Sequence, residues 1–290
     1  MTSTSPIFAE ICNAHPYAAY SHGTIRTIPF EDNLQGKSVK HGYQSADVVM
    51  ITNADYIKAS KKLEFDEGKV VFIPHGFDET LFNNLLSQNL EMKPTGPTTF
   101  IAPARHIWVE KGTGHEKGND KVIHAIRILK DSGNVDFNVL VVEHGQDLSA
   151  TKELARKLDV EDCITWTPRL NYNDLWALIS SSHAVIDQFV IPAIGAIGLE
   201  ALALGRRLIN HDDGSMEAFF DAPSPLISAY SAEEIAAAMK MVIKDPFDKA
   251  GLGASARDWF KASHSQAFIK QQLLLTFKLL DDAIVVKSGV

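Results

Sequence analysis

The sequence lacks the features that define several large classes of protein. Its two cysteines, Cys12 and Cys163, are too few for a disulfide framework or a four-ligand zinc site. Acidic residues number 36 against 28 lysines and arginines, and the net charge of -8 disfavours a nucleic acid as the main partner. No apolar run approaches the ~20 residues that span a bilayer, and residues 1–11 do not form a secretory leader. We therefore expect a soluble cytoplasmic protein, attached at most to the inner face of the membrane.

Three well-known catalytic motifs are also missing. The pair His115-Glu116 is followed by Asn119 at the position where a zincin requires its second histidine. The chain has neither a Gly-x-x-x-x-Gly-Lys-Ser/Thr phosphate loop nor a Gly-x-Ser-x-Gly nucleophile elbow. We therefore expect no bound metal and no organic cofactor.

From about Thr98 onward, short β-branched runs alternate with amphipathic stretches. This alternation predicts an α/β fold with a parallel, doubly wound sheet, which binds ligands beyond the carboxyl ends of its strands. The predicted strands are 99–101, 138–142, 163–166, 184–186 and 207–209, and the predicted helices between them are 119–130, 149–158, 172–180 and 195–204.

The first ~90 residues show the same alternation in a shorter form. Strand-like runs at 47–51 and 69–73 flank a helical stretch at 54–63, and a polar linker follows. Ser231 and Glu234 have the spacing of a capping box, and the chain after them is helical in pattern. We predict a partial N-terminal domain over 1–90, a C-terminal domain over 91–255, and terminal helices over 256–290 that cross back.

The most informative segment runs from Asp187 to Gly205. After a buried strand it enters a helix whose first turn is small, with Gly195, Ala196 and Gly198. Such a helix start exposes backbone N–H groups and the positive end of the helix dipole, which together attract a phosphate. The two glycines would equally allow the helix to pack tightly on the sheet, because a lone Gly-x-x-Gly is a weak signal.

The same segment resembles the retaining glycosyltransferases of family 4, which have the GT-B fold of two Rossmann-like domains. The family commonly has two glutamates separated by seven residues, a glycine three after the first, and Glu-Ala-x-Ala-x-Gly at the end. Gly195 and Glu200-Ala201-Leu202-Ala203-Leu204-Gly205 match this pattern in register, whereas Pro192 stands in place of the first glutamate. Asp187-Gln188-Phe189 is similar to a variant within the family.

The resemblance implies roles for particular residues. It places Arg105 and Lys117, together with Gly195 and Ala196, on the donor diphosphate, while Lys111 remains the alternative to Lys117. It also implies that Glu200 binds the ribose. The candidate contacts to the donor sugar are His144, Asp187 and Gln188, and His22 is the candidate catalytic residue beside the donor sugar or the acceptor, although a structural histidine would fit that turn as well.

The resemblance further implies a metal-independent transfer of a sugar, with retention, from a nucleoside diphosphate sugar to a saccharide or lipid-linked acceptor. This activity is typical of polysaccharide or glycolipid biosynthesis. The shortened first domain and Pro192 leave open a non-catalytic nucleotide-sugar-binding protein, or one half of a split transferase completed by a partner chain. A sugar-nucleotide 2-epimerase of the same fold is less consistent with Arg105, Lys117 and Glu200.

Overall fold

The structure, a computed structural model, has two compact units, each with its own parallel sheet. Unit 1 comprises Met1–Phe77, Ala218–Phe220 and Ser263–Val290, and unit 2 comprises Asp78–Glu217 and Asp221–Ala262. The residues that the structure describes are 5–21, 23–66, 68–76, 83–84, 87, 94–112, 114–133, 136–220 and 224–288.

Unit 2 is built on a six-stranded parallel sheet in the order β6-β5-β4-β7-β8-β9. This is the order of a doubly wound sheet, in which the chain first moves outward from β4 and then returns to the other side of β4. The strands are β4 (Thr98–Ala102), β5 (Phe137–Val142), β6 (Ile164–Thr167), β7 (Ala184–Ile186), β8 (Arg207–Asn210) and β9 (Ile227–Ser228).

Helices cover the faces of this sheet. The core includes the fully buried Phe100 on β4, Val139 on β5 and Ile126 on the first of these helices, because their alternating or helical spacing turns apolar side chains inward. In chain order, the helices are α4 (Asn119–Asp131), α5 (Leu148–Lys157), α6 (Tyr172–Ser181), α7 (Ala196–Ala203), α8 (Ala232–Lys244) and α9 (Leu252–His264). One of α4 to α7 follows each of β4 to β7, and α8 and α9 follow β9. The last two residues of α9 belong to unit 1.

Unit 1 has a three-stranded parallel sheet with sequential order β1-β2-β3. One face packs against a cluster that includes Ile25, Tyr43 and Tyr56, and the other packs against Ile269 and Leu279 of the C-terminal helix. The elements are β1 (Ala18–Ser21), β2 (Val48–Ile51), β3 (Val70–Phe72), α1 (Ser5–Ile11), α2 (Leu34–Ser45), α3 (Tyr56–Lys62) and α10 (Gln266–Ser288).

The predicted fold class is confirmed, since both sheets are parallel and both units follow a Rossmann-like alternation of strand and helix. The compact units divide after Phe77 and after Ala262, whereas the sequence suggested divisions near 90 and 255. Within the described part of the chain, no helix is long and apolar enough to cross a membrane.

The predicted capping box at the start of α8 is confirmed. Ser231 Oγ accepts a hydrogen bond from Glu234 N at 3.2 Å, and Glu234 Oε2 accepts one from Ser231 N at 3.0 Å. These bonds satisfy backbone donors that have no partner within the helix.

Ser231→Ala should lower the free energy of unfolding by about 1 kcal/mol, because Glu234 N loses its acceptor. Ser231→Asp restores an acceptor and serves as the matched control. Urea denaturation of both variants checks this expectation, and equal loss of stability in the two would contradict it.

Candidate functional site at the carboxyl edge of the larger sheet

The candidate site lies in unit 2, where the chain changes direction between β4 and β7. These two strands are neighbours, with Phe100 paired to Ala184 and Ile101 paired to Val185. In doubly wound sheets the loops after such strands diverge and leave a crevice beyond their carboxyl ends. The loops after β4 and β7 carry most of the residues that the sequence singled out.

A backbone clamp joins the loops after β4 and β5. His106 N donates to His144 O at 2.7 Å, and Asp147 N donates to His106 O at 3.0 Å. Gly145 has a φ of 131°, and a Cβ there would lie 2.4 Å from His106 N, so only glycine permits this approach. The buried His106 ring lies 3.0 Å from Thr151 Oγ1 and 3.1 Å from Val142 O. Arg105 directly precedes His106, and His144 is part of the clamp. These bonds therefore hold the backbone at Arg105 and at His144 in a fixed relation.

Three basic side chains gather at the ends of β4, β5 and β6. Burial lowers the pKa of His144, and the nearby guanidinium groups of Arg169 and Arg105 lower it further. The imidazole is therefore held neutral at neutral pH, while the two exposed arginines supply fixed positive charge. Arg169, in the loop after β6, is absent from the sequence-based candidates. Its position shortly after a predicted strand, at the carboxyl edge of the sheet, could have identified it as a candidate.

Arg105 and Lys117 are separated in sequence by an insertion whose two ends are hydrogen-bonded to each other. Lys117 N donates to Ile107 O at 2.8 Å, so the two ends of the insertion meet. Within it, Lys111 is largely exposed and pairs with Asp120 at 3.3 Å. Lys117 is half-buried and donates from Nζ to Gln188 Oε1 at 2.5 Å. The structure therefore brings Lys117, and not Lys111, to the loop after β7.

Gln188 fixes this part of the crevice. Its side chain is buried, accepts from Lys117, and donates from Nε2 to Ala193 O. Asn210 Nδ2 donates to the same carbonyl at 3.2 Å, and Phe189 N donates to Lys117 O at 2.9 Å. Because the acceptor on Gln188 is a neutral amide oxygen, the contact orients the ammonium group of Lys117 without cancelling its charge.

The helix start predicted at Gly195 is present. Gly195 is the N-cap of α7 and, having no side chain, offers no cap of its own to the first backbone N–H groups of the helix. The carboxyl group of Asp187 lies against this turn. A Cβ on Gly195 would be 3.2 Å from Asp187 Oδ2, and one on Gly198 would be 3.3 Å from it. A side chain at either position would crowd this carboxyl, so the two glycines allow its close approach.

Glu200 lies on the second turn of α7 and is 6% exposed. Its Oε2 accepts from Trp176 Nε1 at 3.0 Å, and it also forms a hydrogen bond with the Tyr172 hydroxyl. Burial raises the pKa of Glu200 to about 7, since it outweighs the hydrogen bonds from Trp176 and Tyr172, and Asp187 raises it further. Burial and the neighbouring Glu200 carboxyl raise the pKa of Tyr172 to about 12. The sequence pattern gave no indication that Trp176 and Tyr172 are partners of Glu200.

The structure thus divides the predicted site residues into two groups. Lys117, Asp187, Gln188 and the start of α7 at Gly195 are in one group, with Glu200 behind them. Arg105 and His144 form the second group, with Arg169. His22 lies outside the described residues. Within the described part of the chain, no three His, Cys, Asp or Glu side chains are grouped so that they could hold a metal ion.

The fold and this basic, open helix start define an α/β protein of the GT-B class, and solved structures share the fold. HepE from Anabaena in complex with UDP and glucose superposes with a TM-score of 0.71 at 15% identity, over 96% of this chain and 76% of that one. Sucrose-phosphate synthase from Thermosynechococcus elongatus superposes with a TM-score of 0.64 at 16% identity, over 96% of this chain and 72% of that one. A glycosyltransferase from Rickettsia africae superposes with a TM-score of 0.66 at 17% identity, over 94% of this chain and 73% of that one. At these identities the likeness shows the fold alone.

The sequence itself supplies the family. Residues 111–259, half of the chain, match the glycosyl transferases group 1, and the chain belongs to this family. A comparison with curated proteins finds no match. The matched range includes Lys117, Asp187, Gln188 and the whole of α7.

Glu200→Gln should make stability less dependent on pH. A carboxyl whose pKa is raised from 4.5 to about 7 on folding contributes stability below pH 4.5, and this contribution is lost as the pH rises through 7. From about pH 5 to about pH 8 we expect the wild type to lose on the order of 3 kcal/mol more than Glu200→Gln. Urea denaturation at a series of pH values measures the difference, and parallel curves would contradict it.

Proposed function

We propose that this chain binds a nucleoside diphosphate sugar at the carboxyl edge of the larger sheet and transfers its sugar, with retention and without a metal, to a saccharide or lipid-linked acceptor. Membership of the glycosyl transferases group 1 supports the transferase class. The UDP in the HepE complex supports a nucleotide-sugar donor. The observation that carries the proposal is the contact of Lys117 with Gln188 beside the uncapped start of α7.

The leaving group of such a reaction is a nucleoside diphosphate, which gains negative charge as the glycosidic bond breaks. Fixed cations and oriented backbone N–H groups stabilise such charge best, because they need no reorganisation during the reaction. Lys117 and the first amides of α7, at Ala196 and the residues after it, have this character. Arg105 supplies a further cation from the start of the loop that Lys117 ends, and with Arg169 it takes the place that a metal ion would have.

The remaining roles follow from position. Glu200 keeps acceptor capacity beyond its bond from Trp176, so it remains suited to a ribose hydroxyl. We assign His144 and Asp187 to the donor sugar, and the role of His22 stays a prediction. The acceptor hydroxyl attacks from the face that the diphosphate leaves, and a donor phosphate oxygen takes its proton. Synthesis of a polysaccharide or glycolipid beside a membrane is the proposed setting.

Pro192 favours a second candidate, a non-catalytic nucleotide-sugar-binding protein. It occupies the position of the first glutamate of the family pattern, so one expected contact to sugar hydroxyls is missing. Turnover separates the two functions, because a binding protein saturates with donor but releases neither free sugar nor nucleoside diphosphate. Donor hydrolysis above the rate without protein would support the transferase.

Arg105→Glu should abolish donor binding, because it replaces a cation at the proposed diphosphate by an anion. A thermal-shift titration with UDP, GDP and ADP sugars measures this, since a ligand raises stability as its concentration exceeds the dissociation constant. The control is Arg127→Glu, on α4, where the arginine pairs with Asp131 at 2.7 Å. A shift that persists in Arg105→Glu would rule out the assigned role of this residue.

Lys117→Gln and Lys111→Gln form a matched pair. Both remove one charge from the same loop, but only Lys117 contacts Gln188. We expect Lys117→Gln to weaken donor binding by about tenfold to a hundredfold, as for a lost charge-assisted contact of about 1.5–3 kcal/mol. Lys111→Gln should bind as the wild type. Calorimetric titration measures both, and the reverse order would assign the diphosphate contact to Lys111.

A further inference from the structure

Asp187 is an unusual side chain for the place it occupies. It directly follows the buried strand β7 and is 6% exposed. Its Oδ2 has no hydrogen-bond partner among the described atoms, although it lies against the start of α7 at Gly195 and Gly198. A buried polar atom without a partner is costly, so its retention here calls for an explanation in terms of a ligand.

In the part of the chain that the structure describes, few ionisable groups face this carboxyl. Lys117, from the loop before α4, favours its charged form, and Glu200, from α7, opposes it. From β8 the neighbour is the neutral Asn210, which is hydrogen-bonded to the backbone N–H of Gln188. The next residue, His211, faces Lys121, Asp212 and Asp213. Among the described residues, the influences on the charge of Asp187 are therefore burial, one lysine and one glutamate.

An ionised Asp187 would work against the proposed donor. Its oxygen lies beside the helix turn where the diphosphate is expected, and two anions in a buried site repel each other strongly. It would also neutralise Lys117, the cation nearest to it. A protonated Asp187 removes both obstacles, leaves the charge of Lys117 for the ligand, and turns Oδ2 from a second acceptor into a donor.

We propose that Asp187 serves the donor site as a neutral carboxylic acid, whose Oδ2 donates a hydrogen bond to an oxygen of the bound nucleotide sugar, so that donor binding requires a proton on this side chain. The inference rests on the proposed function. The proton comes from solvent and stays on Asp187 in the complex; no bond of the donor is broken by it. Burial raises the pKa of Asp187, which is the direction that such a role requires.

Calorimetric titration across neutral pH tests the proposal, with UDP-glucose, ADP-glucose and GDP-mannose as probes. A phosphate monoester would change charge near about pH 6, where its second pKa lies. Neither phosphate of these compounds is a monoester, so the ligand keeps a constant charge. The variant Asp187→Asn has the same shape, carries no charge and retains a donor. The variant Glu200→Gln removes the other buried carboxyl of the site and tests whether the proton resides there instead. The control is Asp136→Asn, which removes an exposed carboxyl just before β5, at the opposite edge of the sheet.

In the wild type, the dissociation constant should rise by up to about tenfold per pH unit once Asp187 begins to ionise in the free protein. Asp187→Asn should depend on pH less steeply than the wild type and should bind more tightly than the wild type at alkaline pH. Asp136→Asn should retain the wild-type slope, and Glu200→Gln should still bind more weakly as the pH rises, because Asp187 remains. Thermal unfolding verifies that each variant is folded.

The outcomes separate the two proposals. If a probe binds but the wild type and Asp187→Asn depend equally on pH, the acid role of Asp187 is overturned while donor binding stands. If Glu200→Gln alone removes the slope, the proton resides on Glu200 and the assignment to Asp187 is wrong. If no probe binds at any pH, the proposed function fails and this inference fails with it.

Discussion

The contact between Lys117 and Gln188 links the two loops that flank the centre of the larger sheet. Lys117 ends the loop after β4, and Gln188 begins the loop after β7, so their bond and the adjacent bond from Phe189 N to Lys117 O connect segments far apart in sequence. Without this connection, the cation and the open start of α7 would have no fixed relation. Preorganised groups of this kind are what a developing anionic charge needs.

The same crevice contains an electrostatic conflict. Two buried carboxyl groups, on Asp187 and Glu200, lie near a helix start and a lysine that are suited to an anion. Burial raises the pKa of both groups, which favours their neutral forms. On the proposal above, protonation reconciles these acidic side chains with a negatively charged ligand, while the contact of Lys117 with Gln188 is to a neutral amide oxygen.

Much of the fold could be predicted because strands and helices of a doubly wound sheet have distinct periodicities. The predicted strand at 184–186 coincides with β7, and the predicted helix at 119–130 lies within α4. Helix α2 was missed because Gly36 and Gly42 weaken its local pattern. It is held by the local Asn33 cap and by burial of Val39 and Tyr43, and that burial is a tertiary effect.

The site was predictable only where family pattern and strand ends coincide. Lys117 and the start of α7 follow from that combination. The bond from Trp176 to Glu200 depends on how α6 packs against α7, and the proximity of Arg169 to His144 depends on the order of β5 and β6 in the sheet. Neither relation leaves a periodic trace in the sequence.

A crystal structure with the nucleotide sugar that stabilises the protein most would test the central claim directly. The account predicts one diphosphate bound by Lys117 Nζ, by Arg105 and by backbone N–H groups at the start of α7. A diphosphate bound elsewhere, or one that contacts Arg105 while Lys117 remains on Gln188 and the helix start stays unoccupied, would contradict it.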